Sequence, residues 1–538
     1  MANSWDLVVI GGTPGGIAAA IAAARQGRTV ALVERQSHIG GMSTSGLGKS
    51  DIEHPEAIGG LFLEFIARIR ETYVASLGAE SEAFALCREG YYFEPSVAEA
   101  AFLEMLAELP TIELLLDHQL EGAAVQQNRV TAVELQNRIT GERILASASA
   151  FVDATYEGDL LAAAGAEFRL GRESREEYGE SHAGEIFFDY RNGEILPGST
   201  GQGDDRLPAY TYRLCLSSDP GNSAPLTQPP AGYDRTNYLG YLDDLESGRL
   251  SAPKVLKDGW GYYPEHFDTL VRALSVTDLP NGKVDANINP RPLAFPFAEE
   301  NVGYIEANWR RRDEIADRHR QLTLGLLWFL QQDDAVPAEH REMAGKYHLP
   351  ADEFTDNGNF PWQLYVREGR RLVGLATLTE HDVTFTGDAP AAGDYEDTIA
   401  VGEFPIDSFP VQKRPSDCGV VLEGYLGMLA HITRPYPIPY RVMIPQTIEG
   451  LIVSVAVSAT HVAYSSIRME PTWMALGHAA GLAAHKAIEA GVALRDVDID
   501  SLQASLAAEG QVLACANFSG GSQAEKSAGF NVSTEATF

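Results

Sequence analysis

The stretch VVIGGTPGGIAAA, residues 8–20, decides the fold prediction, because an apolar run leads through a glycine cluster into small helix-forming residues. That order predicts a buried strand, a tight turn and a helix, the arrangement in which a helix N-terminus holds the pyrophosphate of a dinucleotide. The usual fingerprint G-x-G-x-x-G has a second glycine where this chain has Thr13. Gly12 and Gly15 on either side keep the turn flexible, and Pro14 suits the first turn of a helix. The turn therefore still predicts a dinucleotide site.

A carboxylate closes the second predicted strand, VALVE, at Glu34. In this position a carboxylate binds the ribose hydroxyls and disfavours the 2′-phosphate of NADP. The alternative is an ordinary solvated strand end. The next stretch, HIGGMSTSGLG at 38–48, is rich in glycine and hydroxyl residues. An NAD domain usually continues with another strand and helix here, so this loop favours FAD, running beside its pyrophosphate and ribitol.

The nucleotide-type pattern returns near the other end of the chain. GLIVSVAVSA at 450–459 predicts a strand, and PTWMALGHAAGLAAHKAIEAG at 471–491 predicts a helix of small residues. The N-terminus of such a helix carries a partial positive charge that would stabilise a reduced flavin, although an ordinary packing helix has the same pattern. The middle of the chain, 190–410, lacks the strand–helix–strand rhythm. We therefore predict that both ends of the chain build one dinucleotide-binding domain.

Composition excludes several partners. The net charge of −34 over 538 residues argues against nucleic acid and anionic membrane surfaces, and an anionic substrate would need a local cluster of arginine or histidine. The four cysteines form no C-x-x-C pair, so no metal site is expected, and scattered cysteines suit a reducing compartment. The sequence displays no signal peptide and no apolar run of about 18 residues, so we expect a cytoplasmic protein without a membrane span.

Five stretches together resemble a known family: GGTPGGIAAA, VERQSHIGGMSTSGLG, FVDATYEGDLLAAAGA, QLYVREGRRLVG and SATHVAYSSIRMEPTWMALGHAAGLAA. The chain resembles, over residues 8–485, the FAD-dependent oxidoreductases of the FAD_oxidored group, distant relatives of the fumarate reductase and succinate dehydrogenase flavoproteins. The family tolerates a residue other than glycine at the Thr13 position. It often has an Asp-Ser-His-Asn run where this chain reads IDSFP at 406–410, so Phe409 replaces the histidine.

The resemblance implies FAD as the cofactor and assigns residues to it. The adenosine and pyrophosphate would be lined by the first turn, the second strand end and the following loop, the strand end at 153–154 would close the pocket, and the late helix would face the isoalloxazine. The implied cofactor-binding residues are Gly11, Gly12, Thr13, Pro14, Gly15, Gly16, Glu34, Arg35, Gly41, Met42, Ser43, Asp153, Ala154 and Gly477.

The resulting architecture is α/β. A Rossmann-like FAD-binding domain is assembled from residues 1–190 and 411–500, with an inserted α+β substrate or cap domain at 191–410. A C-terminal helix and tail occupy 501–538.

Candidates for catalysis lie between the late strand and the late helix, in SATHVAYSSIRMEP. His461 is a candidate base, with a purely structural hydrogen bond as the alternative. Tyr464 is a second candidate. Arg468 would clamp a carboxylate or hold the flavin edge, with an ion pair to Glu470 as the alternative.

Two further groups carry charge. In YVREGRR the spacing predicts Arg367 and Arg371 on one helix face, either an anion site or a salt-bridged surface helix. KSDIEHP brings Lys49, Asp51 and His54 just behind the glycine-rich loop, close enough for at least one to reach the site.

These features predict an FAD-dependent oxidoreductase that moves a hydride between flavin N5 and a small polar substrate, hydroxylated and sugar-like by family context, with an unknown electron acceptor. Three alternatives stay open. The first is a flavoprotein that uses FAD for a non-redox elimination or isomerisation. The second is an FAD-holding binding protein without turnover, and the third is an NAD enzyme.

Overall fold

The computed structural model describes residues 2–189, 193–246, 273–288, 297–385, 395–412 and 422–515. Its strands are β1 (Ala2–Ile10), β2 (Val30–Val33), β3 (Ile112–Leu115), β4 (His118–Gln126), β5 (Arg129–Asn137), β6 (Arg143–Asp153), β7 (Phe168–Arg169), β8 (Phe188–Asp189), β9 (Glu194–Ile195), β10 (Leu214–Ser217), β11 (Leu274–Asp278), β12 (Lys283–Ile288), β13 (Arg371–Leu372), β14 (Thr398–Gly402), β15 (Asp407–Ser408), β16 (Gly427–Met428), β17 (Tyr436–Pro439) and β18 (Leu451–Val453). Its α-helices are α1 (Pro14–Arg25), α2 (Leu61–Leu77), α3 (Glu82–Ala85), α4 (Pro95–Ala107), α5 (Asp159–Ala163), α6 (Arg175–Tyr178), α7 (Gly240–Glu246), α8 (Trp309–Gln332), α9 (Ala338–Ala344), α10 (Glu380–Val383), α11 (His461–Ile467), α12 (Glu470–Ala490) and α13 (Ile499–Ala508).

One sheet unites the two ends of the chain. Strands β3, β2, β1 and β6 run parallel in that order, and β18 pairs in parallel with the second half of β6. A row of apolar residues crosses it, with Leu32 opposite Val9, Val9 opposite Val152 and Val152 opposite Ile452. Parallel strands with helices packed on their faces define a Rossmann-type sheet. The predicted α/β fold is therefore confirmed, whereas the exact domain bounds stay predictions.

The first half of β6 has a different neighbour, because it pairs antiparallel with β5, which in turn pairs with β4. The alternating pattern from residue 112 onward predicts a small antiparallel sheet or meander. Strands β4, β5 and the first half of β6 are antiparallel as predicted, whereas β3 joins the parallel strands. Alternation of polar and apolar residues does not distinguish these pairings, since it reports only which faces are buried.

Helices α1 and α12 cross at glycine and alanine positions. A Cβ added at Gly477 would collide with the backbone oxygen of Gly15, and one added at Gly481 would collide with that of Ala19. Only glycine allows helix backbones to approach this closely. The small-residue pattern that predicted the late helix therefore serves this crossing, which fixes the start of α12 beside the start of α1.

The middle of the chain adds a second layer over the sheet's carboxyl end. It contains the antiparallel sheet β10-β12-β11 and the long helix α8, which begins where the Asn308 side chain accepts a hydrogen bond from the Arg311 amide. The stretch NWRRRDEIADRHRQLTLGLLWFLQQ at 308–332 predicts a long helix, and the structure has one at Trp309–Gln332. Helix α8 lies against the first domain through Trp309, whose indole N–H donates to the Leu120 carbonyl at 2.9 Å.

Two local predictions were wrong. Residues 365–370 form no helix, so Arg367 and Arg371 do not share a helix face; the segment is extended because Gly369 lies directly against the backbone of Tyr156 and Glu157. The late strand covers only Leu451–Val453 instead of 450–459, since the chain leaves the sheet at its carboxyl end.

Cys87 and Cys215 are buried free thiols, and Cys418 lies outside the described residues. The predicted C-terminal helix is α13, and the tail from residue 516 is likewise outside the described part.

Candidate functional site

Thr13, the exception in the glycine fingerprint, has two hydrogen bonds that a glycine cannot make. Its hydroxyl donates to the Ala154 carbonyl at 2.8 Å and accepts from the Gly16 amide at 3.2 Å. The first bond ties the turn to the end of β6, and the second caps helix α1. Gly11 precedes it with φ +105°, in the region that favours glycine. Thr13 therefore stabilises the turn instead of disrupting it.

The Glu34 carboxylate is anchored to the same turn. It accepts from the Gly12 amide at 2.8 Å and from the Gln36 amide at 2.9 Å. Desolvation raises the pKa of this carboxyl, and the amide hydrogen bonds act against that rise. The strand end predicted to bind ribose is thus held in a fixed position at the turn.

A cavity of about 250 Å³ opens at the carboxyl end of the sheet. The turn and Glu34 form one wall, and the inserted region supplies the opposite wall through Trp309 and Trp362. Arg35 lies between them, with its guanidinium 4.7 Å from the Trp309 ring centroid and 2.8 Å from the Asp313 carboxylate. The cavity continues past Thr13 to residues 155–157. Its lining combines the two tryptophan rings with several arginines, including Arg35.

Residues Gly41–Thr44 form a buried turn that contacts the start of α12 through one tyrosine. The Met42 amide donates to the Tyr156 hydroxyl at 3.0 Å, and that hydroxyl donates to Glu470 at 2.6 Å. Burial raises the pKa of the Glu470 carboxyl to about 8. Tyr156 was not among the predicted site residues, although it directly follows the predicted strand end at 153–154.

Four buried polar atoms in this region have no hydrogen-bond partner among the described residues: Ser45 Oγ, Glu470 Oε2, Thr472 Oγ1 and Trp473 Nε1. Buried polar groups in folded proteins are normally paired, so a cluster of unpaired ones indicates a missing ligand. The Trp473 carbonyl lies beside Gly15, which brings these atoms close to the turn at the start of α1. The residues present therefore fit a polar, elongated group that spans from Glu34 to the start of α12.

Asp153, Gly477 and Ser43, which were also predicted to bind the cofactor, hold the backbone around the site in place. Asp153 accepts from the Thr155 and Leu161 amides, at 3.0 and 2.7 Å, and burial raises its pKa to about 6. It fixes the turn after β6, from which the Ala154 carbonyl reaches Thr13. Gly477 packs on Gly15 at the helix crossing. Ser43 is buried within the turn at 41–44.

His461 belongs to a buried network of charges. Its Nδ1 lies 2.7 Å from the Glu368 carboxylate, and its amide donates to Glu173 at 2.8 Å. Arg371 bridges both carboxylates, at 2.7 Å to Glu173 and 2.8 Å to Glu368. Glu173 was not recognised from the sequence, because it lies far along the chain and carries no motif. The network gives His461 a structural role in addition to any part in catalysis.

Tyr464 lies within α11, and Arg468 directly follows the end of that helix. Arg468 donates to the Tyr365 hydroxyl at 2.9 Å and to the Asp407 carbonyl at 2.8 Å. The ion pair with Glu470 considered from the sequence is not formed between these described residues, because Arg468 is directed to Tyr365 and Glu470 to Tyr156. The Tyr464 hydroxyl donates to the Val455 carbonyl at 3.2 Å, and burial holds its pKa well above the ordinary value.

The charged loop after residue 48 joins this region. Asp51 lies 3.0 Å from Arg213, which also pairs with Asp285 at 2.7 Å. The Lys49 amide donates to Asp285 at 3.0 Å. His54 donates through its amide to Glu403 at 2.7 Å. Lys49 and Asp51 therefore both lie beside the ion pair of Arg213 and Asp285.

One acidic cluster has the spacing of a metal site. Glu94, Asp352 and Glu353 lie close together. The Lys283 ammonium already contacts all three carboxylates, at 2.7, 2.9 and 2.6 Å, and so occupies the position that a metal ion would take.

The pairing of sheet, turn and cavity is that of an FAD-binding protein. A family model described as FAD dependent oxidoreductase matches residues 6–506, and the chain belongs to this family. FAD is accordingly its cofactor. The family predicted from the sequence is confirmed, and the NAD alternative is removed. The distant likeness to fumarate reductase flavoproteins stays a prediction.

Several solved structures share parts of the fold. The myxobacterial chondrochloren halogenase CndH is 12% identical, with 94% of this chain and 78% of that chain covered and a TM-score of 0.34. A geranylgeranyl bacteriochlorophyll reductase-like protein from Thermoplasma acidophilum is 10% identical, with 95% and 85% covered and a TM-score of 0.34. L-proline dehydrogenase from P. horikoshii is 17% identical, with 36% of this chain and 25% of that chain covered and a TM-score of 0.18. These similarities carry no information on the reaction. Among the described helices, none is both long and apolar enough to cross a bilayer.

Proposed function

We propose that this protein is an FAD-dependent oxidoreductase that transfers a hydride between a small, polar, hydroxylated substrate and flavin N5. The observation that carries the proposal is the group of unpaired buried polar atoms at the start of α12, next to the turn that starts α1. Bound FAD supplies the hydride chemistry at N5. The electron acceptor is left open by this proposal.

The chain holds FAD with its two helix N-termini and one carboxylate. The Gly16 amide is used by Thr13, and Pro14 has no amide hydrogen, so the Gly15 amide is the first-turn donor left for a phosphate oxygen. Glu34 lies next to it for the ribose hydroxyls. Arg35, Gly41, Met42 and Ser43 complete the proposed path toward α12.

Glu470 is the side chain best suited to hold the proton that leaves a substrate hydroxyl. It is buried, its Oε1 is oriented by Tyr156, and its Oε2 has no hydrogen-bond partner in the part of the chain that the structure describes. His461 is the alternative base, with Glu368 orienting its Nδ1. Arg468 and Tyr464 position the segment between them. The free thiols of Cys87 and Cys215 favour a reducing compartment, and we place the protein in the cytoplasm.

The test is the visible spectrum of the purified protein, followed by anaerobic addition of hydroxylated compounds. We expect a flavin spectrum, and lasting bleaching with at least one substrate. Acid precipitation reports whether the flavin stays with the polypeptide. Product formation without net bleaching in the absence of an acceptor would favour the elimination or isomerisation alternative. A bound flavin that no compound in a broad panel reduces would favour a binding protein.

A further inference from the structure

Two arginines bring their charges to one buried tyrosine, Tyr365. The Arg367 guanidinium lies 4.3 Å from the centroid of the Tyr365 ring and 3.6 Å from that of Phe409. The Arg468 guanidinium lies 5.8 Å from the Tyr365 ring centroid and donates to its hydroxyl at 2.9 Å. Arg367 is 1% exposed and Arg468 is 4% exposed. The aromatic faces attract these cations but add no negative charge.

These arginines differ from the other buried arginines in their partners. Arg367 donates to the Ala209 carbonyl at 2.6 Å and the Thr211 hydroxyl at 3.0 Å, both neutral, and its Nε has no partner among the described residues. Arg468 approaches one carboxylate, that of Asp407, and only to 3.7 Å. By contrast, Arg371 contacts two carboxylates at less than 3 Å.

Leaving a buried cation without a carboxylate is costly. Removing a charge from water costs several kcal/mol unless a counter-charge compensates for it. Desolvation, with smaller contributions from the charges of Arg468 and Arg213, lowers the pKa of Arg367 to about 9, although Tyr365 and Asp407 act against this shift. In a chain with a net charge of −34, carboxylates are abundant, yet among the described residues the hydrogen bonds of Arg367 go to neutral groups, and Asp407 is the carboxylate that acts on it electrostatically. An arriving anion would relieve this cost.

The pair also lies next to the group that we assign to proton transfer. Arg468 is two positions before Glu470, and the charge of Asp51 influences both. Tyr365 in turn interacts electrostatically with Tyr156, the hydrogen-bond partner of Glu470. Arg468, which ends α11 and contacts Tyr365, therefore connects the arginine pair to the start of α12.

We propose that Arg367 and Arg468 bind a carboxylate of the substrate, so that the substrate is a small hydroxylated carboxylic acid instead of a neutral sugar. This inference rests on the proposed function, because it places the hydroxyl-bearing carbon at the flavin and Glu470. Guanidinium groups bind carboxylates through paired, charge-assisted hydrogen bonds, which would fix the orientation of the substrate.

Calorimetric titration of the FAD-loaded protein tests the pair, with malonate and its uncharged amide, malonamide, as probes. We expect saturable malonate binding and malonamide binding at least tenfold weaker. Arg367→Met should weaken malonate binding at least tenfold, and Arg468→Lys, which keeps the charge but loses the paired geometry, should weaken it several-fold. Arg310→Gln removes the same charge from an exposed helix position and should bind malonate like the wild type.

Equal binding of malonate and malonamide by the wild type would overturn the inference, and this comparison needs no variant. Unchanged malonate binding by folded Arg367→Met and Arg468→Lys proteins would overturn it as well. Failure of the proposed function looks different: no hydroxy acid or neutral alcohol bleaches the flavin, while malonate still binds selectively. Bleaching by neutral polyols at rates equal to those with hydroxy acids would support the function and reject the carboxylate.

Discussion

Replacing Thr13 with glycine would restore the usual dinucleotide fingerprint, yet we expect it to destabilise the protein. The fingerprint alone suggests that glycine improves this position. In the structure, however, the Thr13 hydroxyl both caps helix α1 and joins the turn to the Ala154 carbonyl. Thr13→Gly loses both hydrogen bonds and makes the unfolded chain more flexible.

The expected loss adds three contributions. Removing a threonine cap in favour of glycine costs from a few tenths to about 2 kcal/mol. The hydrogen bond to the Ala154 carbonyl contributes about 0.5–1.5 kcal/mol. Glycine adds roughly 0.5–1 kcal/mol of conformational entropy to the unfolded chain. Together they amount to about 1–4.5 kcal/mol. Thr13→Val should lose the two hydrogen bonds only, and Thr13→Ser should retain both and stay within about 0.5 kcal/mol of the wild type.

Urea unfolding of the four proteins at one fixed FAD concentration measures these differences, because bound cofactor stabilises each folded state by mass action. The expected order of stability is wild type, close to Thr13→Ser, then Thr13→Val, then Thr13→Gly. A Thr13→Gly protein as stable as the wild type, or more stable, would show that the hydroxyl contacts do not hold the turn together.

Three other changes test the packing and the buried charges. Gly477→Ala should destabilise the protein by about 1–3 kcal/mol and weaken FAD binding, as its Cβ collides with Gly15; unfolding and flavin fluorescence titrations measure both. Burial raises the pKa of Glu403 to about 8, so the folded wild type holds a proton that the unfolded chain releases above about pH 4.5. Wild-type stability therefore falls between about pH 4.5 and 8, by up to about 1.4 kcal/mol per pH unit. Glu403→Gln should remove this fall, and unfolding measured across pH 5–9 tests it. Arg371→Met should cost about 3–5 kcal/mol, because two buried carboxylates lose their cation; urea unfolding measures it.

For each of these predictions, a specific outcome would contradict the reasoning. Gly122→Ala is the control for Gly477→Ala, because a Cβ at Gly122 meets nothing within 4 Å, and equal effects of both would argue against a close helix crossing. Parallel pH curves for the wild type and Glu403→Gln would mean that Glu403 is ionised in the folded protein. An Arg371→Met protein of normal stability would mean that the network around His461 contributes little.

The fold was largely predictable because its decisive signals are local. The strand, turn and helix at residues 8–25 and the small-residue helix at 471–491 each have a periodic pattern within one stretch. Their joining into one sheet followed from the repeated pattern at both chain ends. The arginines at 367 and 371 show the limit of such signals: their helical spacing is real, but Gly369 packs on the backbone of another segment and keeps the chain extended.

The site was predictable only where a motif carries it. Glu34 and the turn at 11–16 follow from known spacing, and the structure brings them together at the cavity. The partners of His461 could not be predicted from spacing, because Glu173 and Glu368 approach it only through the tertiary fold. Tyr156 could not be predicted from the sequence for the same reason, since its role depends on the hydrogen bonds that it forms with Met42 and Glu470 in the folded protein.

Strand β6, which pairs with a hairpin over one half and with β18 over the other, imposes an order on biosynthesis. The ribosome releases β1, α1 and β6 long before residues 451–490 emerge. Until then the second half of β6 is an open edge, and the alanine-rich surface of α1 has no covering helix, a state prone to aggregation. We therefore expect the nascent chain to be prone to aggregation through most of translation. A site that needs both ends of the chain is complete only when synthesis is nearly finished, so we expect the vitamin-derived cofactor to be loaded late.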